Sequence, residues 1–249
     1  MDLWRALAPL PLPVSLAVVG LGLLTFLALV MLPAAMLIRG EPGDWRDWLR
    51  DRRKAIGARA ANGATDTELR LRLVLMALDG INVAVGRLFA WLALTMALTQ
   101  FVIVVMRYVF AFGSIPMQES VWYQHGMLFM LGVGYTLALN GHIRVDVFYG
   151  SAGPRRRAMV DMLGAVLFLA PLSMAILWLS WPYVSASWAV SEGSPDGGGL
   201  PILYLLKTVI PVFALLLATQ AGAIAIRAWL TLSGACTPDL DAGPGAGGV

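Results

Sequence analysis

Cysteine is almost missing from this chain: Cys236 stands alone in 249 residues. That excludes an internal disulfide and a multi-cysteine metal site. Histidine is nearly as scarce, with only His125 and His142. His142 and Asp146 lie close in sequence, but two ligands do not make a metal site. No glycine-rich nucleotide loop, no His-Glu pair at helical spacing and no nucleophile elbow occurs. An enzyme is therefore not expected, and neither is a catalytic residue or a cofactor. Charge is sparse, at 13% of residues. The basic stretch Arg50 to Lys54 includes an acidic residue and adjoins an apolar run. A lipid or topogenic role fits it better than nucleic-acid binding.

What the chain has instead is long apolar runs. Val14 to Ile38 carries no charge over 25 residues. At 1.5 Å per residue that crosses about 30 Å of hydrocarbon. Backbone groups in lipid must pair within the segment, so the crossings are helices. The run is longer than a signal-peptide core and its flank is weakly basic, which favours a retained helix; Pro33-Ala34-Ala35 leaves cleavage open. Four more spans are expected: Leu88 to Met106, Ser120 to about Leu139, one within Met162 to Ser191, and Thr208 to Ile226. The fourth run exceeds one bilayer thickness, so its end should emerge along the interface. Pro201 to Leu206 is expected as a short lead-in helix. The fold class is thus all-α, a polytopic membrane protein.

Charge sets the expected orientation. Arg39 to Arg72 holds nine Arg/Lys against six Asp/Glu, and Arg144, Arg155, Arg156 and Arg157 follow the third span. The loop after the fourth span has Glu192 and Asp196 and no basic residue. Basic short loops stay cytoplasmic. Two crossings separate the two basic segments, so both signals agree. The N-terminus then starts outside and the C-terminus ends in the cytoplasm. The chain divides into an N-terminal transmembrane helix (1–38), a basic cytoplasmic linker (39–67), a four-span domain (68–232) and a flexible cytoplasmic tail (233–249). Within the linker, Asp44 to Arg50 mixes tryptophan with charge, as in an interfacial helix, and Gly57 to Thr67 reads as loop. From Glu68 an amphipathic helix is expected through Leu71, Leu75, Leu78, Asn82 and Val85. It either lies on the inner surface or continues the second span.

Polar residues at the span ends are the candidate interface groups: Gln100, Arg107, Glu119, Gln124, His125, His142, Arg144, Asp146, Asp161 and Lys207. Arg107 and Glu119 could pair across the outer hairpin, or Arg107 could snorkel to headgroups. Gln124 and His125 lie inside the third span, where His125 is expected in a structural hydrogen bond, with Gln100 as one partner. Asp161 opens the fourth span, where an acidic group suits a helix N-terminus. Lys207 is expected to anchor or pair. Gly141 ends the third span, and Ile143, Val145 and Val147 alternate with His142, Arg144 and Asp146. That spacing suits a short extended or turning segment that buries one side.

Several stretches resemble the small, DctQ-like membrane subunit of tripartite ATP-independent periplasmic (TRAP) transporters. They are Leu78-Asp79-Gly80-Ile81-Asn82, Gly86-Arg87, Gln100-Phe101, Arg107 to Phe110, Ser114 to Ser120, Gly132 to Leu137 and Gly141 to Asp146. Ser180 to Val184, Ser187-Trp188, Glu192 to Pro195, Gly198 to Pro201 and Leu205 to Thr208 look like the mannitol/chloroaromatic-type branch. The resemblance covers roughly residues 70–230. It implies a four-helix core, to which this chain adds an N-terminal helix and an amphipathic interfacial helix. It also implies a bacterial inner-membrane complex with two other proteins: a large twelve-span membrane subunit and a periplasmic solute-binding protein. Membrane lipids complete the expected partners. The implied role is a non-catalytic permease subunit that stabilises the large subunit for sodium-coupled uptake of a small organic acid. A self-sufficient channel or carrier, or an assembly factor, is the alternative, but the spans offer few polar groups for a substrate path.

Overall fold

A computed structural model describes residues 45–141 and 152–235, and all of its elements there are helical. The expected first span and the start of the linker lie outside the described residues. So do His142 to Asp146 and the tail from 236.

Helix α1, Trp45–Ala61, extends through Gly57, where a loop was expected. Its Ile56 and Arg52 are buried. Leu49 lies against Gly80 of the next helix. Asp47, Arg50, Asp51, Arg53 and Lys54 form its exposed side. Leu49 and Ile56 of this helix face protein, and Trp48 is half-buried beside Arg52.

Helix α2, Asp66–Val109, is continuous over 44 residues. Thr65 caps it by accepting from the Glu68 amide at 3.3 Å. Thr65-Asp66-Thr67-Glu68 is the capping-box pattern, so the helix starts before Glu68. At 1.5 Å per residue it is about 66 Å long, roughly twice the hydrocarbon thickness. The amphipathic segment therefore continues the second span. Its buried stripe is Arg72, Leu75, Met76, Asp79, Asn82, Val83 and Gly86. Leu75 and Asn82 were expected there. The charged residues Arg72 and Asp79 belong to the stripe as well.

Helix α3, Ile115–Ala138, returns antiparallel to α2. Its C-terminus closes through Gly141 N–H to Thr136 O at 2.8 Å and Asn140 N–H to Leu137 O at 3.1 Å. Asn140, at φ 54°, takes the left-handed position in this Schellman closure. Gly141, expected to end the helix, is the residue after it.

Helix α4, Pro154–Gly164, runs through a π-helical turn, Ala165–Leu169, into α5, Ala170–Ala189. Pro171 follows the π turn. Its ring and missing N–H break the regular i−4 pattern there. One side of this long helix is buried: Ala158, Ala165, Ser173, Ser180 and Ser187. The steps are seven residues except across the π turn, where one extra residue makes eight. These small side chains let α4 and α5 pack closely on α6, Leu203–Leu232. The remaining circumference is apolar and exposed, through Leu167, Phe168, Met174, Trp178 and Leu179.

Helix α6 packs against α2, α3, α4 and α5. Leu131, Val209 and Leu216 form a buried cluster, joined by Val85, Phe89, Met127 and Met130. Gly134 sits where any Cβ would collide with the Asn82 amide oxygen. That glycine sets how closely α2 and α3 approach. Three helical stretches are long and apolar enough to cross a membrane: Asp66–Val109, Pro154–Ala189 and Leu203–Leu232. The expected third span, α3, is not among them. Gln118, Glu119, Ser120, Gln124 and His125 dilute its first half. The lead-in helix at 201–206 is not separate; α6 starts at Leu203 and continues.

Candidate functional site

Two polar networks sit at opposite ends of this helix set. One is built around the loop between α5 and α6. Val190 ends α5 and Ser191 turns left-handed at φ 47°. The Glu192 amide then bonds back to Ser187 O at 3.0 Å, and Ser191 N–H to Trp188 O at 3.2 Å. The loop closes on itself through Ser194 N–H to Leu200 O at 3.0 Å. Glu119, from the second turn of α3, reaches into this loop. Its carboxylate accepts from the Leu200 amide at 2.6 Å and from the Ser194 hydroxyl. Gly199 has no room for a side chain because a Cβ would strike that carboxylate and Ser194. Glu119 is only 7% exposed, so these donors replace water around a buried charge.

Lys207, in the second turn of α6, donates to Glu192. Its ammonium also sits 4.1 Å from the ring centroid of Tyr183. The Lys207 ammonium holds the Glu192 carboxyl below its ordinary value of 4.5. Trp188 Nε1–H donates to Thr208 Oγ1 at 2.8 Å and meets Tyr204 edge-on at 4.7 Å. The loop is thereby tied to α3, α5 and α6 together.

The second network lies at the other end. Arg227 of α6 donates to Asp79 of α2 at 2.8 Å. Gln220 faces the same carboxylate at 3.5 Å, and buried Arg52 of α1 adds positive charge nearby. Arg52 also lies 4.6 Å over the Trp48 ring. Glu68 repeats the scheme, with Arg72 at 3.0 Å and Arg59 of α1 at 3.6 Å. Arg72, 2% exposed, also donates to Ala235 O at 2.7 Å. Each carboxylate thus lies between an arginine of α1 and one of α2 or α6. One turn along, Asn82 donates to Thr219 Oγ1 at 2.8 Å.

Several expectations are redirected. Arg107 is exposed at the end of α2 and does not pair with Glu119, because the loop amide and hydroxyl take that carboxylate. His125 does not meet Gln100; it is exposed and stacks on Phe129 at 6.4 Å. Gln100 is exposed on α2. Gln124 bonds Thr95 Oγ1 at 2.7 Å and Ser120 O at 3.1 Å. Asp161 is half-buried two turns inside α4, not at a helix N-terminus, because the helix already starts at Pro154. Lys207 does pair. Sequence reasoning missed Asp79, Arg227, Glu68, Arg72, Glu192 and Ser194 as network members. A charge inside a helical stripe, as at Arg72 and Asp79, was the available signal. Among the described residues no group of three His, Cys, Asp or Glu side chains is placed to hold a metal.

Comparison with known proteins agrees with this architecture. No curated protein and no solved structure matches the chain. A family profile does, over residues 96–231, and its description is the DctQ component of tripartite ATP-independent periplasmic transporters. The matched segment covers α3 to α5, the C-terminal third of α2 and nearly all of α6, including both partners of the Glu119–Leu200 contact. This chain therefore belongs to the DctQ family of transporter components, as a non-catalytic, multi-pass inner-membrane subunit.

Proposed function

We propose that this chain is the small permease subunit of a TRAP transporter, holding a large twelve-span membrane subunit in its working position. The observation that carries the reading is the use of the polar groups. Glu119, Glu192, Lys207, Asp79, Gln220 and Arg227 bond to one another and to the backbone. A carrier needs such groups free for substrate and ion; a scaffold uses them to fix helix positions. Substrate and sodium sites then belong to the large subunit, and capture of solute to a periplasmic binding protein. The Ser180 to Val184 and Glu192 to Thr208 stretches favour the mannitol/chloroaromatic-type branch and a small organic acid as cargo.

The proposed orientation puts the basic end in the cytoplasm. Arg59, Arg155, Arg156 and Arg157 share that end with the C-terminus of α6, and the 190–202 loop faces the periplasm. The full arrangement is a four-span core in which α3 crosses alongside the three more apolar helices. Residues 1–38 form an additional span with the N-terminus outside.

The test is uptake by proteoliposomes. This chain alone should transport nothing. Together with the large subunit and binding protein it should support sodium-dependent uptake. Uptake by the chain alone would establish the carrier reading. Cysteine labelling in a Cys236→Ser background should report periplasm at 192–199 and cytoplasm at 152–157.

A further inference from the structure

We propose that the segment just after Ala235 folds back across the start of α2 and sets the carboxylate of Asp239 on the guanidinium of Arg59. The contact straps the end of α6 to α1. It goes beyond the small-subunit reading and does not depend on it.

The path of the chain gives the first reason. Helix α6 ends at Leu232, and Gly234 turns left-handed at φ 79°. That conformation takes the backbone off the helix axis. The next residue is already seated on the neighbouring helices, because Arg72 of α2 donates to the Ala235 carbonyl at 2.7 Å. The same guanidinium lies 3.0 Å from Glu68, and Glu68 lies 3.6 Å from Arg59 of α1. The chain therefore leaves Ala235 at side-chain range of Arg59. Asp239 follows four residues later. Fully extended, four residues reach about 14 Å. Pro238 biases Thr237 away from helical backbone and toward that extended reach.

Charge gives the second reason. From Arg52 to Ala61, α1 carries Arg52, Arg53, Lys54 and Arg59 and no acidic residue. Glu68 lies between two guanidiniums. Its contact with Arg72 is a hydrogen bond, whereas 3.6 Å to Arg59 is too long for one. The Arg59 side chain is 35% exposed, which leaves it open to a second carboxylate. Residues 236–249 supply acid and no base: Asp239 and Asp241 are their only charged side chains. A part-exposed ion pair is weak by itself. Attachment four residues from a fixed carbonyl gives Asp239 a roughly millimolar effective concentration at Arg59. An acidic side chain of a second copy has no such tether.

The experiment uses the full chain in its native membranes. A photo-crosslinking amino acid replaces Leu240, and the adduct is mapped by mass spectrometry. The expected adduct lies within the same chain, on residues 55–72. Asp239→Asn and Arg59→Glu should each lower its yield about threefold, the scale of one part-exposed ion pair. High salt should act in the same direction. Combining Arg59→Glu with Asp239→Arg should restore the yield, since the pair is rebuilt with its charges exchanged. Thermal unfolding of each variant separates a lost contact from a lost fold. An adduct on a second copy, on lipid or on residues 142–164 would overturn the proposal. So would a yield indifferent to both single variants, or a charge exchange no better than Arg59→Glu alone.

Discussion

The guanidinium of Arg227 meets the carboxylate of Asp79 at 2.8 Å, with Asp79 fully buried. Asp79 lies outside the segment matched by the family and Arg227 inside it. The contact fastens the N-terminal half of α2 to the last turns of α6, and Arg52 brings α1 to the same point. Removing one partner leaves buried charge uncompensated, which typically costs about 3–5 kcal/mol. Asp79→Ala should therefore sharply lower the thermal unfolding midpoint in detergent. Asp79→Leu with Arg227→Met should recover part of the loss, since apolar replacement of both partners is tolerated better. A double variant no more stable than Asp79→Ala would show that Arg52, not Arg227, is the main partner.

How far the sequence foretold this differs between helices. Spans two, four and five fall inside α2, the α4–α5 helix and α6, because uninterrupted apolar length is a local property. The start of α2 at Asp66 is written in the Thr65–Glu68 capping box, whereas its continuity with the second span was one of two open readings. The π turn before Pro171 was not, because proline permits several local solutions. The partners of the charges were the least legible. Asp79 and Arg227 are 148 positions apart, and only packing brings them together. Pairing of Arg107 with Glu119 was one of two readings, because they flank one hairpin. The structure gives Glu119 a backbone amide 81 positions away.

Glu119 offers the second prediction. Its hydrogen bonds involve a charged acceptor, which are typically worth about 1.5–3 kcal/mol each to remove. Glu119→Ala should loosen the 190–202 loop while leaving α3 helical. Hydrogen exchange at the Leu200 amide is the direct readout and should speed up by at least tenfold. Unchanged exchange there would mean the loop holds itself through Ser194 and Leu200 alone.

Gly134 and Gly132 make a paired test of packing. Gly134→Ala drives a methyl group into the Asn82 amide, so α2 and α3 must separate. Overpacking of this kind costs about 1–3 kcal/mol. Gly132→Ala adds the same methyl group in open space and should be neutral or slightly stabilising in the isolated chain. Thermal unfolding of the two variants side by side separates a steric effect from a helix-propensity effect. Equal destabilisation would contradict the α2–α3 spacing.

Acid should release the same loop by a different route. The Glu192 carboxyl is held below its ordinary value of 4.5, chiefly by the Lys207 hydrogen bond. A depressed carboxylate binds protons more weakly in the folded state than in the unfolded one. Its contribution is therefore complete above about pH 4.5 and is lost as pH falls through the folded value. Limited proteolysis of the 190–202 loop should stay flat from neutral pH to about 5 and then rise as the pH is lowered further. Glu192→Gln should raise cleavage at neutral pH and flatten the acid-dependent rise. Lys207→Met should do the same, because it removes the donor that lowers the carboxyl. Hydrogen exchange at the Tyr204 amide, which bonds to Glu192 O at 3.2 Å, gives a protease-free check. If the acid-dependent rise survives unchanged in Glu192→Gln, another carboxylate controls the loop. Glu119, bonded to it at Leu200, is then the group to replace.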